Sequence, residues 1–488
     1  MFTKSDFDNF IKCPCFFWLK KKRPDLLPGE NPEARRRAEM GLQVLTLAWQ
    51  LFPGGVAVEG FDKTAWENTR QIMARGTKTL FHPTVTTKDL ACRADIATYN
   101  KAIDGWNIHA VKMTTLAKKE HLYDMAFQRI CFEEAGLRVG GTHLIHINNT
   151  YVRQGPIEPE KLFVSEDITE SVNAVLGEVK LRIAEADEIG GWNGEPDPRL
   201  IEACSNPKTC EYLRTYCEMM PGRYAIDKDI PQTHLRALLD RDILDHTKIS
   251  SSLLSTIGYA PEPAYVHVDA PGIRQELSKL QYPLYFLDYE TYSHALPPFD
   301  RFRPYQNIPF QYSLHIKNAP KAPREHAEFL ARTFADPVPA LASHLQKHLG
   351  PKGSVIVWSA AFESGRNKEM GELYPQFADF MHSINDRMFD LMLIFTYKNQ
   401  LYYDSRFKKS ASLKIALPVL LPDLSYEDLV IQEGGTASSS WPVLTSPETP
   451  EKEKERLAKD MLLYCKRDTE AMVAILDLVT EAAGSQKV

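Results

Sequence analysis

Apolar residues recur with a helical period in several long stretches of the chain, and short apolar runs separate them. From Ser5 to Lys22 the residues Phe7, Phe10, Ile11, Phe16, Phe17 and Leu19 predict one amphipathic helix. The period returns from Pro32 to Phe52 and stops at Pro53-Gly54-Gly55. Lys118 to Gly136 predicts a third helix. Pro450 to Ala483 predicts a last one, with Leu457, Met461, Leu462, Cys465, Met472, Ile475 and Leu476 on its apolar side. Strand-like runs occupy Gly55–Gly60, Ala91–Tyr99, Trp106–Val111 and Thr142–Ile147. Their order with the Lys118–Gly136 helix is that of an α/β core. A second α/β core begins at Tyr282, where Leu284–Asp288 and Ser354–Trp358 have the length of buried strands.

Three segments follow. Residues 1–224 form the first α/β domain, ending beyond the turn-rich Gly190–Pro198. Residues 225–281 are polar and helical, broken at Pro261-Glu262-Pro263 and Pro271-Gly272, and predict a connector. Residues 282–488 form the second domain. Within it Gly434–Pro450, rich in Ser, Thr, Gly and Pro, predicts a mobile loop.

Composition narrows the class. Of 488 residues, 43% are hydrophobic and 25% charged, which excludes disordered, collagenous and simple coiled-coil chains. There is no uninterrupted apolar run of about 18 residues, so no membrane span is expected. The mixed, acidic start Met1-Phe-Thr-Lys-Ser-Asp-Phe-Asp8 is unlike a secretory signal, so a cytoplasmic protein is the expectation. The net charge of −6 leaves nucleic acid open as a partner, because phosphate contacts depend on local clusters such as Lys20–Arg23 and Arg35–Arg37. A solvated helix face explains such runs equally well. Eight cysteines are too few for a disulfide scaffold. Cys13 and Cys15 near the start, with Cys204, Cys210 and Cys217 close together, point instead to a metal site or buried thiols.

The strongest chemical signal is Leu284-Tyr-Phe-Leu-Asp288-Tyr-Glu290-Thr291. Alternation along a strand places Asp288 and Glu290 on one face. Two carboxylates leaving a buried strand together call for a positive partner, and a divalent cation is one. A second piece, Val355 to Glu363, is a strand followed by a helix start that bears an acid. The third, Tyr464-Cys-Lys-Arg-Asp468, puts a phenol and a carboxylate on one helical face. In this order the three resemble the DEDD superfamily of 3′–5′ exonucleases on the RNase H-like fold, in its Tyr-x-x-x-Asp subclass. The resemblance runs from Tyr282 to about Ala483. It implies that Asp288, Glu290, Glu363 and Asp468 hold two Mg²⁺ or Mn²⁺ ions and that Tyr464 positions the attacking water. Glu363 stands where the family usually has Asp, so the metal spacing must adjust. Met388-Phe-Asp390-Leu, Lys409 to Lys414 and Leu424-Ser-Tyr426 further resemble a bacterial family of unknown function that fuses such an exonuclease to a RecB-like module. Asp390 suits either a further acid near the site or a helix cap, and Lys414 either a phosphate contact or a solvated lysine.

The first half resembles RecB-like nucleases of the PD-(D/E)xK class that carry an iron–sulfur clasp, including CRISPR-associated ones. Lys4 to Pro14 matches the family's opening helix, and the resemblance implies that Cys13, Cys204, Cys210 and Cys217 hold a 4Fe–4S cluster. Zinc is the alternative for four thiolates. Cys92-Arg-Ala-Asp95, Trp106 to Lys112 and Tyr123 to Phe132 resemble the nuclease core, with Asp95, Lys112 and Gln128 surviving. The glutamate of the Glu-x-Lys motif is replaced by Ala110, and a methyl group ligates nothing. The resemblance thus implies a degenerate module that binds DNA or acts as a scaffold. The whole reads as a metal-dependent exonuclease with nucleic acid as partner, DNA ahead of RNA, and protein partners in a DNA-processing or defence pathway. Two alternatives stand beside it: a non-enzymatic nucleic-acid-binding subunit, and an RNA exonuclease.

Overall fold

The computed structural model describes residues 1–27, 32–60, 63–194, 196, 234, 237–238, 241, 250–258, 265–320 and 322–484. The chain is mixed α/β and divides into two compact units, residues 1–151 with 155–261, and residues 152–154 with 262–488. The predicted connector does not stand apart at its C-terminal end. Val266–Val268 pairs with Tyr402–Asp404, and the helix Ala270–Leu277 buries Ile273 and Leu277 in the second core. The division between the two compact units falls at 261/262. Among the described residues no helix is long and apolar enough to cross a membrane.

The first unit opens with two helices where one was expected, Lys4–Lys12 and Pro14–Lys22. Pro14 disfavours helical backbone at the residue before it, and Cys13 is extended (φ −160°, ψ 109°). Thr3 and Asp6 close a reciprocal cap at the start of the first helix. The main sheet runs in the order Val56–Ala57, Thr79–Phe81, Ile96–Asn100, Gly105–Lys112, Val139–Ile147 and Phe163–Asp167. Gly105–Lys112 and Val139–Ile147 are parallel, joined by the helix Lys119–Glu134. That helix is buried along most of its length, and Phe127 stacks on Phe7 in an aromatic cluster with Phe2. The single strand expected over Ala91–Tyr99 is two, Leu90–Arg93 and Ile96–Asn100, which belong to different sheets. Asp95 sits at the break.

The second unit is built on a five-stranded sheet in the order Arg324–Leu330, Ile308–Lys317, Leu284–Tyr292, Ser354–Val357 and Met388–Asp390. The first three are antiparallel neighbours, and the last two run parallel to the central strand. Alternation along Leu284–Tyr292 sends Tyr285, Leu287 and Tyr289 to one core and Leu284 and Phe286 to the other. Asp288 and Glu290 share the second direction, on which the 32-residue helix Glu451–Ala482 packs. Ile308–Lys317 is buried at every position, as a strand covered on both faces must be.

The segment predicted as a mobile loop is a helix, Gly434–Thr445. Its Ala437, Trp441 and Leu444 lie on one face and are buried. Trp441 stacks on Phe310 at 5.1 Å, and its indole N–H donates to the Ala331 carbonyl at 2.9 Å. Small polar residues supply the outer face, and tertiary packing of three apolar side chains outweighs their low helix propensity.

Candidate metal centre

Three elements converge at the second sheet. The central strand contributes Asp288 and Glu290. The strand Ser354–Val357 ends in the helix Ala360–Leu373, whose first turn carries Glu363. The C-terminal helix contributes Tyr464, Cys465 and Asp468, all buried. That helix is pinned in register against Ile308–Lys317. Gln311 donates to the Met461 carbonyl at 2.8 Å, and Thr469 Oγ1 meets Ser313 Oγ at 2.7 Å and His315 Nδ1 at 2.8 Å. The charge of Asp468 is thereby brought within reach of Asp288 on the central strand.

Ligand atoms of Asp288, Glu290 and Cys465 lie within 4.8 Å of one another, and no other triad of this kind occurs among the described residues. Glu363 and Asp468 are not part of this triad but lie within electrostatic reach of its carboxylates. Burial, followed by the charge of Asp468, pushes the Asp288 carboxyl well above its ordinary range. Burial and the charges of Asp288, Asp468 and Glu363 do the same to Glu290, and burial and Asp288 to Glu363. Asp468 is pushed up to about 7 by burial, against the opposing hydrogen bond from Tyr426 and the charges of Lys414 and Arg467. Glu363 Oε2 is buried with no hydrogen-bond partner. Four electrostatically coupled acids with an orphaned oxygen are unfavourable by themselves and suit a hard divalent cation. These residues fit Mg²⁺ or Mn²⁺ by the chemistry of their oxygen donors.

Tyr464 is held as a neutral phenol, its proton secured by burial and by the charges of Asp468, Glu290 and Asp288. Gly434 borders the site: a Cβ at that position would lie in ordinary contact, 3.6 Å from Glu290 Oε2 and 3.8 Å from the Tyr464 hydroxyl. The exposed Lys414 reaches over the Tyr464 ring, its Nζ 5.6 Å from the centroid. Tyr426 enters the sequence reading only within the phrase Leu424-Ser-Tyr426, without a chemical role, yet its hydroxyl donates a short hydrogen bond to Asp468 Oδ1. It lies 42 residues from its partner, and no spacing rule reveals such a pair. Asp390 is a cap. It accepts from the backbone N–H of Ala360 at 2.9 Å and of Met392 at 3.1 Å, fixing the start of the helix that bears Glu363.

In the first unit Lys112 and Gln128 both meet Asp124, which the sequence reading did not single out. Lys112 Nζ lies 2.5 Å and Lys4 Nζ 3.2 Å from Asp124 Oδ2, while Gln128 Nε2 donates to Oδ1 at 2.7 Å. Asp95 Oδ2 instead accepts the Val111 backbone N–H at 2.8 Å. Burial alone would raise the Asp124 carboxyl, but the two ammonium groups hold it well below its usual range. Ala110 is fully buried in the adjoining strand. The negative charge is answered by lysines. Asp124 stands one helical turn before Gln128, which is the signal that a search for i,i+4 partners would have found.

Cys13 is buried at the start of the second helix, where its sulfur accepts the Phe16 N–H at 3.4 Å. Cys204, Cys210 and Cys217 lie outside the described residues.

Residues 285–412 match the family model described as "Domain of unknown function (DUF2779)". Over 213 residues the chain is 24% identical to the "Uncharacterized protein MG366 homolog" of Mycoplasma pneumoniae. The match covers 40% of this chain and 32% of that relative's length. Asp288, Glu290 and Glu363 fall inside the family match, whereas Tyr464 and Asp468 lie beyond it.

Proposed function

We propose that the second unit is a metal-dependent 3′–5′ exonuclease of RNase H-like type, acting on DNA ahead of RNA. The observation that carries this reading is the convergence of Asp288, Glu290, Glu363 and Asp468 from one strand and two helices, three of them almost fully buried. A pair of divalent cations held by these oxygens would supply an activated water and positive charge at the leaving 3′ oxygen. The protein's own side chains do the rest. Tyr426 fixes the rotamer of Asp468, and Tyr464 presents a protonated hydroxyl to orient water at the scissile phosphate. The assay is 5′-labelled single-stranded DNA and RNA with Mn²⁺ or Mg²⁺. A ladder shortening from the 3′ end is expected, and no cleavage of either polymer would move the reading to a nucleic-acid-binding subunit.

Lys414 is assigned to the phosphate next to the scissile one. Lys414→Met is expected to weaken single-stranded DNA binding and to lower the salt slope of log K by about one, the signature of one lost phosphate contact. An unchanged slope would remove Lys414 from the interface.

The first unit is read as a degenerate RecB-like module that holds nucleic acid. Lys112 and Lys4 on Asp124 support this, because a carboxylate engaged by two ammonium groups is a poor cation ligand. Its cysteine clasp, Cys13 with Cys204, Cys210 and Cys217, is proposed to hold a 4Fe–4S cluster. Anaerobically purified protein should contain iron and acid-labile sulfide, and zinc in their place would correct the cluster type.

A further inference from the structure

Phosphodiester cleavage leaves Cys465 without a task. It is fully buried between Tyr464 and the acids. Its sulfur lies 3.5 Å from Asp288 Oδ2 and 3.9 Å from the Asp288 carbonyl oxygen. With Asp288 and Glu290 it forms the triad of ligand atoms within 4.8 Å. The buried and unpartnered Glu363 Oε2 adds an oxygen within electrostatic reach of Asp288.

We propose that Asp288, Glu290 and Cys465 form a mixed carboxylate–thiolate site for a thiophilic divalent cation, Zn²⁺ or Cd²⁺, which overlaps the Mg²⁺/Mn²⁺ centre and blocks it. The blocking consequence rests on the exonuclease reading; the binding itself does not. Two lines of chemistry carry the assignment. Oxygen donors suit hard cations, whereas a thiolate selects softer ones. Around a tetrahedral zinc, bond lengths of about 2.3 Å to sulfur and about 2.0 Å to oxygen place those donors roughly 3.5 Å apart. Cys465 Sγ and Asp288 Oδ2 already have that separation.

With a hard cation the thiol keeps its proton and its contact with Asp288. A thiophilic cation displaces that proton to solvent and takes the sulfur as a ligand. One ion held by sulfur and two carboxylates occupies the oxygens that a two-cation centre needs. The same centre then works with Mn²⁺ and stops with Zn²⁺.

The test titrates metal-free, anaerobic protein with Cd²⁺ and follows the ultraviolet thiolate-to-cadmium charge-transfer absorption. Other cysteines contribute, so the measured quantity is wild type minus Cys465→Ser, each first shown to be folded by its thermal unfolding transition. The expected result is a difference band of one thiolate that excess Mn²⁺ erases by taking Asp288 and Glu290. Should the serine variant not fold, Cys465→Ala and the Mn²⁺-sensitive component of the wild-type band serve instead. Superimposable Cd²⁺ titrations, in a protein that binds Mn²⁺ by its paramagnetic resonance, overturn the thiophilic site and leave the exonuclease reading standing. A Cys465-dependent band that Mn²⁺ does not touch overturns the overlap. Binding of neither ion overturns this proposal and the exonuclease reading together.

Discussion

Asp468→Asn should lower metal-dependent cleavage roughly 10³-fold, because a lost cation ligand removes several kcal/mol of transition-state stabilisation. The amide retains an oxygen to accept the Tyr426 hydroxyl, so the local packing survives. The same substitution should stabilise the metal-free protein at neutral pH. Asp468, raised to about 7 in the fold, holds a proton that the unfolded chain has released above about pH 4. The folded state thus binds more protons, and metal-free stability falls as pH rises from about 4 to about 7. Asparagine removes that slope at this position. Thermal unfolding in chelator across this range should show a midpoint falling with pH in the wild type and falling less in the variant. Mn²⁺ replaces the protons, so its stabilisation should be greatest above pH 7. Cleavage by Asp468→Asn at the wild-type rate would remove the exonuclease assignment.

Asp124→Asn should destabilise the first unit by about 3 kcal/mol, read as a lower urea midpoint at unchanged slope. The carboxylate is buried between Lys4 and Lys112, and its removal leaves two ammonium groups, each only about a quarter exposed, facing an amide. Asp8, 3.6 Å from Lys4, compensates only in part. The depressed carboxyl pKa gives the sign with pH. Its stabilisation is complete above the unfolded value of about 4 and is lost as pH falls through the lower folded one. Replacing the three charges together by Met, Met and Leu should be far milder, because a buried ion cluster and apolar side chains of similar volume are often nearly equivalent. If the single substitution has no effect, the two lysines do not depend on Asp124.

How much of this was legible follows from the range of each signal. Asp288 and Glu290 share a face because strand side chains alternate, a rule that needs only neighbouring residues. Tyr464 and Asp468 share a helical face for a similar reason. The break at Cys13-Pro14 was equally local, and reading Ser5–Lys22 as one helix passed over the constraint that proline places on its predecessor. Gly434–Thr445 failed differently. Its composition is that of a loop, and the stacking of Trp441 on Phe310 is what makes it a helix.

The sequence alone therefore determined the two α/β cores and the strand and helices that bear the acids. Each is carried by periodicity or residue identity within a few positions. Tertiary structure alone decided that Tyr426 holds Asp468, that Gly434 borders Glu290 and Tyr464, that Cys465 meets Asp288, and that Lys4 joins Lys112 on Asp124. These are contacts between segments tens to more than a hundred residues apart, and side-chain packing, which no local period encodes, brings them together.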